Sequence, residues 1–90
     1  MRMKQTLLAL ALVATPSEVW IHQATAIDVT LTGSKGPLTV SGCANVANAS
    51  IRDNVLNVFG LARGACALTV EGPGDEKIVV PVVVFGDLPG

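Results

Sequence analysis

The sequence has little charge, very few aromatic side chains and no tyrosine. Of its 90 residues, 14% are charged and 3% are aromatic, and the formal net charge is −1. A chain without a basic field cannot neutralise a phosphate backbone, and a chain with so few rings lacks the platforms on which bases stack. These absences predict that nucleic acid is not a partner.

Catalytic groups are also scarce. The chain has a single histidine, His22, and its two cysteines do not form a Cys-x-x-Cys motif. A Ser-His-Asp mechanism needs a histidine base, and a zinc site needs several nitrogen or sulfur ligands. The pairs Ser34–Lys35 and Asp75–Glu76 fall in glycine-rich turns, where solvated side chains are the expectation. The sequence therefore predicts a protein that is not an enzyme, with no catalytic residue, no metal site and no cofactor.

The start of the chain has the pattern of a secretory signal peptide. Basic residues at positions 2 and 4 precede an apolar run over Leu7–Ala14, an order that is typical of export signals. The run is much shorter than the roughly 20 residues of a membrane-spanning helix, so no transmembrane segment is expected. Small residues at positions 24 and 26 predict cleavage after Ala26, which divides the chain into a signal peptide (1–26) and a domain (27–90). An uncleaved N-terminus stays open as the alternative, because the stretch between the apolar run and Ala26 is long.

The remainder of the chain reads as short strands separated by turns. Apolar and polar residues alternate with a period of two, the spacing of a half-buried strand, and glycine, proline, asparagine and aspartate stand between the runs. The predicted strands are Ile27–Thr32, Leu38–Ser41, Val46–Arg52, a segment that begins at Val55, Ala65–Glu71 and Lys77–Phe85. The parity of these runs predicts a core that includes Leu56, Val58, Leu61, Leu68 and Val70. Pro81 cannot donate to a ladder, so the last strand is expected to lie at an edge or to kink.

One stretch of the chain resembles a known family. The residues from Asn54 to Glu71, NVLNVFGLARGACALTVE, resemble the N-x-L-x-V-x-G-L-x-x-G-x-x-x-L-x-V signature of bacterial immunoglobulin-like (Big-type) domains, and Pro81–Val84 looks like their closing strand. The resemblance implies a single short copy of an all-β, immunoglobulin-like sandwich of about six to seven short strands. Members of that family occur in tandem on surface proteins.

The two cysteines are expected to stabilise this small domain. A domain of about 60 residues buries only about 60% of its unfolded surface and is marginal without a covalent staple. Disulfides persist in exported proteins, and a bond between Cys43 and Cys66 would close a loop worth about 3.4 kcal/mol in the chain-entropy model. We therefore predict this pair as a structural disulfide.

The last strand supplies the predicted partner surface. Ile78, Val80, Val82 and Val84 share one parity and can fill the core, which leaves apolar side chains on the parity that water should face. The predicted partner-binding residues are Val79, Val83 and Phe85, extended by Val55 and Phe59 from an earlier strand. Such a surface favours binding of protein or self-association, through a sheet face or an edge strand.

The resulting functional hypothesis is an exported, non-enzymatic interaction or structural module of the cell envelope or extracellular space. It would act as a free binder or as a subunit of a surface assembly, and its expected location is secreted, periplasmic or cell surface. The alternative from a different class is a small secreted inhibitor or effector that binds a foreign protein.

Overall fold

A computed structural model describes residues 12–86. This part of the chain is built from eight strands and contains no helix. The strands are β1 (Val13–Thr15), β2 (Val19–His22), β3 (Ala26–Thr32), β4 (Thr39–Ser41), β5 (Ala47–Arg52), β6 (Val55–Gly60), β7 (Gly64–Glu71) and β8 (Lys77–Phe85).

The strands form a sandwich of two four-stranded sheets. The first sheet has the order β1-β3-β6-β5, and the second sheet has the order β2-β8-β7-β4. All neighbours are antiparallel except β2 and β8, which run parallel. The predicted all-β sandwich is confirmed. The structure has two strands more than the six that alternation identified, and both lie before residue 26.

The core lies between the sheets, where each strand contributes alternate side chains. Of the five predicted core residues, Leu56, Val58, Leu68 and Val70 are each 0% exposed. The prediction for Leu61 is wrong, because this side chain is 39% exposed. Strand β6 ends at Gly60, and the Leu61 N–H donates to the carbonyl of Val46 at 2.8 Å. The inward positions of β6 are Leu56, Val58 and Gly60, so Leu61 comes one residue after the last inward position and lies outside the core.

The residues before position 27 supply part of this core. Leu12, Val19 and Ile21 are 7%, 1% and 7% exposed. Strand β1 lies at the edge of the first sheet beside β3, and β2 lies at the edge of the second sheet beside β8. Cleavage after Ala26 stays a prediction. Among the described residues, it would remove strands β1 and β2 and the buried side chains of Leu12, Val19 and Ile21.

The sequence predicted that Pro81 would place β8 at an edge or kink it, and the edge alternative is wrong. Strand β8 lies between β2 and β7, and Pro81 pairs with Ala67 on the β7 side. On the other side, pairing with β2 begins only at Val82. Proline has no N–H to donate to a sheet ladder. It is tolerated at position 81 because β2 has no residue paired with this position.

The predicted disulfide is present and fixes a crossing between the sheets. Cys43 and Cys66 are bonded, with their Cα atoms 5.3 Å apart. The carbonyl of Cys43 accepts hydrogen bonds from the N–H groups of Val46 and Ala47, where the chain enters the first sheet. Gly42, with φ of 105°, allows the turn that directs Cys43 inward, and a side chain there would collide with the carbonyl oxygen of Ala67. The bond therefore ties the β4–β5 crossing to β7.

Candidate interaction face

The outward side chains of β8 are apolar along most of the strand. Val80, Val82 and Val84 point into the core, which turns Val79 and Phe85 outward with exposures of 55% and 40%. A sheet face in contact with water is normally polar. The unpartnered outer surface of the second sheet is therefore the feature that needs a functional explanation.

Neighbouring strands extend this surface on both sides. Trp20 of β2 and Ala65 of β7 both align with Val83, and Ala67 aligns with Pro81. Trp20 is 58% exposed, the largest exposure among the large apolar side chains of residues 12–86. We call this surface the apolar face and define it by Trp20, His22, Ala65, Ala67, Val79, Pro81, Val83 and Phe85.

An aromatic cluster occupies one end of the apolar face. The Phe85 ring lies between those of Trp20 and His22, with centroid distances of 5.7 Å and 5.4 Å and tilted planes. The Trp20 indole donates to the carboxylate of Glu18 at 2.7 Å, and Nδ1 of His22 donates to the carbonyl of Gly86 at 3.1 Å. These bonds orient the flanking rings beside Phe85, so the cluster presents three adjacent rings at the surface.

The outer face of the first sheet has a different character. Asp28, Ser50, Arg52 and Asn57 point outward there and line a shallow hollow, in which the Asn57 amide donates to Asp28 at 2.9 Å. Val55 and Phe59, at 38% and 37% exposure, stand among these polar groups.

The predicted partner-binding residues are thus divided between two sides of the molecule. Val79, Val83 and Phe85 lie together on the apolar face. Val55 and Phe59 belong to β6 in the other sheet, so they lie on the opposite outer surface and do not extend it. A parity argument tells inward from outward but not which sheet a strand joins, and for that reason the sequence merged the two surfaces.

Sequence reasoning missed Trp20 and His22. Both belong to residues 1–26, which the sequence assigned to a signal peptide. A signal was nevertheless present: Val19 and Ile21 alternate with Trp20 and His22, the same period of two that identified the later strands.

The turn residues considered for chemistry have a structural role. The Glu76 carboxylate accepts a hydrogen bond from the Ser34 hydroxyl at 2.7 Å and another from the backbone N–H of Lys35 at 3.1 Å. It joins the β3–β4 and β7–β8 turns. Within residues 12–86, no group of three or more histidine, cysteine, aspartate or glutamate side chains could hold a metal ion. The same residues contain no helix long and apolar enough to cross a membrane.

Comparison with known proteins identifies the fold but no family. No family model and no curated protein matches the sequence. Among solved structures, domains 4 and 5 of the S-layer protein SbsC match with a TM-score of 0.70 and 22% identity, over 83% of this chain and 51% of that one. The S-layer protein rSbsC(31–844) matches with a TM-score of 0.79 and 18% identity, over 88% of this chain and 13% of that one.

A third structure, surface layer protein SbsC domains 4–9, gives a TM-score of 0.71 at 21% identity, over 88% of this chain and 14% of that one. The chain therefore spans about half of the first of these structures and a small part of the two longer ones. At these identities the likeness shows a shared β-sandwich fold. It agrees with the sandwich implied by the resemblance to bacterial immunoglobulin-like domains, and membership in that family stays a prediction.

Proposed function

We propose that this chain is a non-enzymatic structural module of a cell-surface assembly and that it associates with protein neighbours through the apolar face. The observation that carries the proposal is the contrast between the two outer surfaces. On the first sheet, Val55 and Phe59 stand among Asp28, Ser50, Arg52 and Asn57, whereas the second sheet exposes the more accessible Trp20 and Val79, together with Phe85, on a surface that also contains alanine, proline and valine.

The exposed area suits association of moderate strength. The side chains of the apolar face present on the order of 400 Å² of apolar surface, which is within the range of functional patches on monomers. A stable interface buries about 800 Å² on each partner. The apolar face alone therefore supports a weak, reversible contact, which is useful to a module that is held in an assembly by several contacts at once.

Two further observations support a place at the cell surface. The fold is that of domains in S-layer proteins, and the disulfide suits an oxidising compartment outside the cytosol. Because Leu12, Val19 and Ile21 are buried and Trp20 belongs to the apolar face, we include residues 12–26 in the working domain. This is the uncleaved alternative for that segment.

Paired lysine substitutions test the proposal by light scattering. Val79→Lys places a charge on the apolar face, and Val55→Lys places the same charge on an exposed valine of the opposite surface. The unmodified protein is expected to associate as its concentration rises, Val79→Lys to stay monomeric, and Val55→Lys to behave as the unmodified protein. Equal association of all three would refute the apolar face as the contact. Tight binding of one foreign protein without self-association would favour the secreted inhibitor instead.

A further inference from the structure

Residues 12–22 lie along one open side of the sandwich as a separate N-terminal segment. In this segment, β1 pairs only with β3 and β2 pairs only with β8. Its inward side chains, which include Leu12, Val19 and Ile21, fill the space between the two sheets. The remainder of the domain thus forms a groove, bordered by β3 and β8, and the segment is its occupant.

The contacts in this groove do not depend on how the segment is joined to the chain. The ladder places Val19 opposite Val82 and Ile21 opposite Val84, and the backbone of β1 aligns residue by residue with Thr30–Thr32. The groove therefore selects an extended segment parallel to β8 that carries branched apolar residues two positions apart. Any copy of residues 12–22 meets this requirement equally well.

The connection between segment and domain is short and conformationally unfavourable. Only Gln23, Ala24 and Thr25 separate β2 from β3. Ala24 has φ of 64°, in the left-handed region that side chains other than glycine rarely adopt. Its N–H donates to the carbonyl of Gly60 at 2.9 Å, which holds the closed turn. In an extended connection, Ala24 would no longer need a positive φ.

We infer that the groove between β3 and β8 is a strand-binding site that also accepts residues 12–22 of a second copy. In the resulting two-fold dimer, each copy inserts its segment into the other, and every contact of the segment is regained. Short hinges with unfavourable conformations promote such exchange. This contact is independent of the apolar face and goes beyond the proposed function.

Two substitutions of Ala24, which have opposite effects on the closed turn, test the inference. Proline has φ near −65° and no N–H, so Ala24→Pro excludes the closed turn and removes the bond to Gly60. Glycine adopts positive φ without strain, so Ala24→Gly favours the closed turn. Both substitutions are made in full chains that also carry Val79→Lys, which suppresses contact through the apolar face. Size-exclusion chromatography with light scattering is then expected to show Ala24→Pro as a dimer and Ala24→Gly as a monomer. A folded Ala24→Pro variant that stays monomeric would overturn the inference.

A second measurement identifies the contact even if Ala24→Pro does not fold. Ile21→Cys and Val84→Cys are introduced on separate full-length chains, which are mixed unfolded at high concentration and refolded together. These positions are opposite each other and point inward, so contact through the apolar face cannot join them. Exchange is expected to give a disulfide between the two introduced thiols of different chains, identified by peptide mapping. Absence of that linkage would overturn the inference, as would an Ala24→Pro dimer in which the linkage does not form.

Discussion

At the scale of the residue, burial follows the alternation of inward and outward positions along each strand. Leu68 lies inside β7 and is 0% exposed, whereas Leu61 lies just beyond the end of β6 and is 39% exposed. The two leucines belong to the same apolar pattern in the sequence. They differ because Leu68 occupies an inward position of β7, whereas Leu61 comes one residue after Gly60, the last inward position of β6.

These two leucines give a matched test of the core. Leu68→Ala leaves a cavity and is expected to lower the free energy of unfolding by about 2–5 kcal/mol. Leu61→Ala removes an exposed side chain and is expected to change it by about 0.5 kcal/mol or less. Denaturant titration of both variants checks the difference, and equal midpoints would contradict the assigned burial.

The disulfide is the second residue-scale contribution to stability. Cys43 and Cys66 are 23 positions apart, and the chain-entropy model gives about 3.4 kcal/mol for a loop of that length. Replacing both cysteines by alanine is expected to cost roughly 2–5 kcal/mol. Thermal or denaturant unfolding measures the loss, and an unchanged transition would mean that the crossing at Cys43 is held by other contacts.

At the scale of the element, the strands from β3 to β7 could be predicted because one face of each is buried and the other faces water, and β8 could be predicted as a β-branched apolar run that follows a glycine- and proline-rich turn. Because of this asymmetry, apolar and polar residues alternate along the strands from β3 to β7, and the turns between them contain residues that interrupt the alternation. The pairing of strands could not be read in the same way. Alternation carries no information on which sheet a strand joins, so the sequence prediction places Val55 and Val79 on one surface.

Strands β1 and β2 were missed for a different reason. A basic start, an apolar run and small residues at positions 24 and 26 satisfy the pattern of a signal peptide, and the same residues satisfy the pattern of two short edge strands. Trp20 and His22 were therefore left out of the predicted site. Tertiary contacts, such as the pairing of Ile21 with Val84, identify the two strands, and the signal peptide stays a prediction.

The position of the N-terminus in the exported protein tests whether residues 12–26 belong to the working domain. If residues 12–26 belong to the working domain, the intact mass of the exported protein is expected to correspond to a chain that contains them. A recombinant chain that starts at Ile27 should be less stable than the full chain by roughly 4 kcal/mol or more, because Leu12, Val19 and Ile21 no longer bury their side chains. An exported protein that starts at Ile27 and unfolds at the same denaturant concentration as the full chain would show that the segment is dispensable.

At the scale of the whole molecule, the two outer surfaces of the sandwich differ in a way that stability alone does not require. The core between the sheets is complete within residues 12–86, and the disulfide adds to it. The apolar face contributes nothing to that core. The largest apolar patch on a monomer is often a functional surface, and we therefore propose that this face is a contact surface.

The central claim, that the apolar face is covered by protein in the functional state, can be tested through Trp20. It is the single tryptophan of the chain and is 58% exposed in the isolated domain, so its fluorescence reports on this face alone. Acrylamide quenching of Trp20 is expected to decrease as the protein is concentrated from micromolar to millimolar levels. The decrease should disappear in Val79→Lys and persist in Val55→Lys. Quenching that stays constant over the whole concentration range in the unmodified protein would contradict self-association through the apolar face.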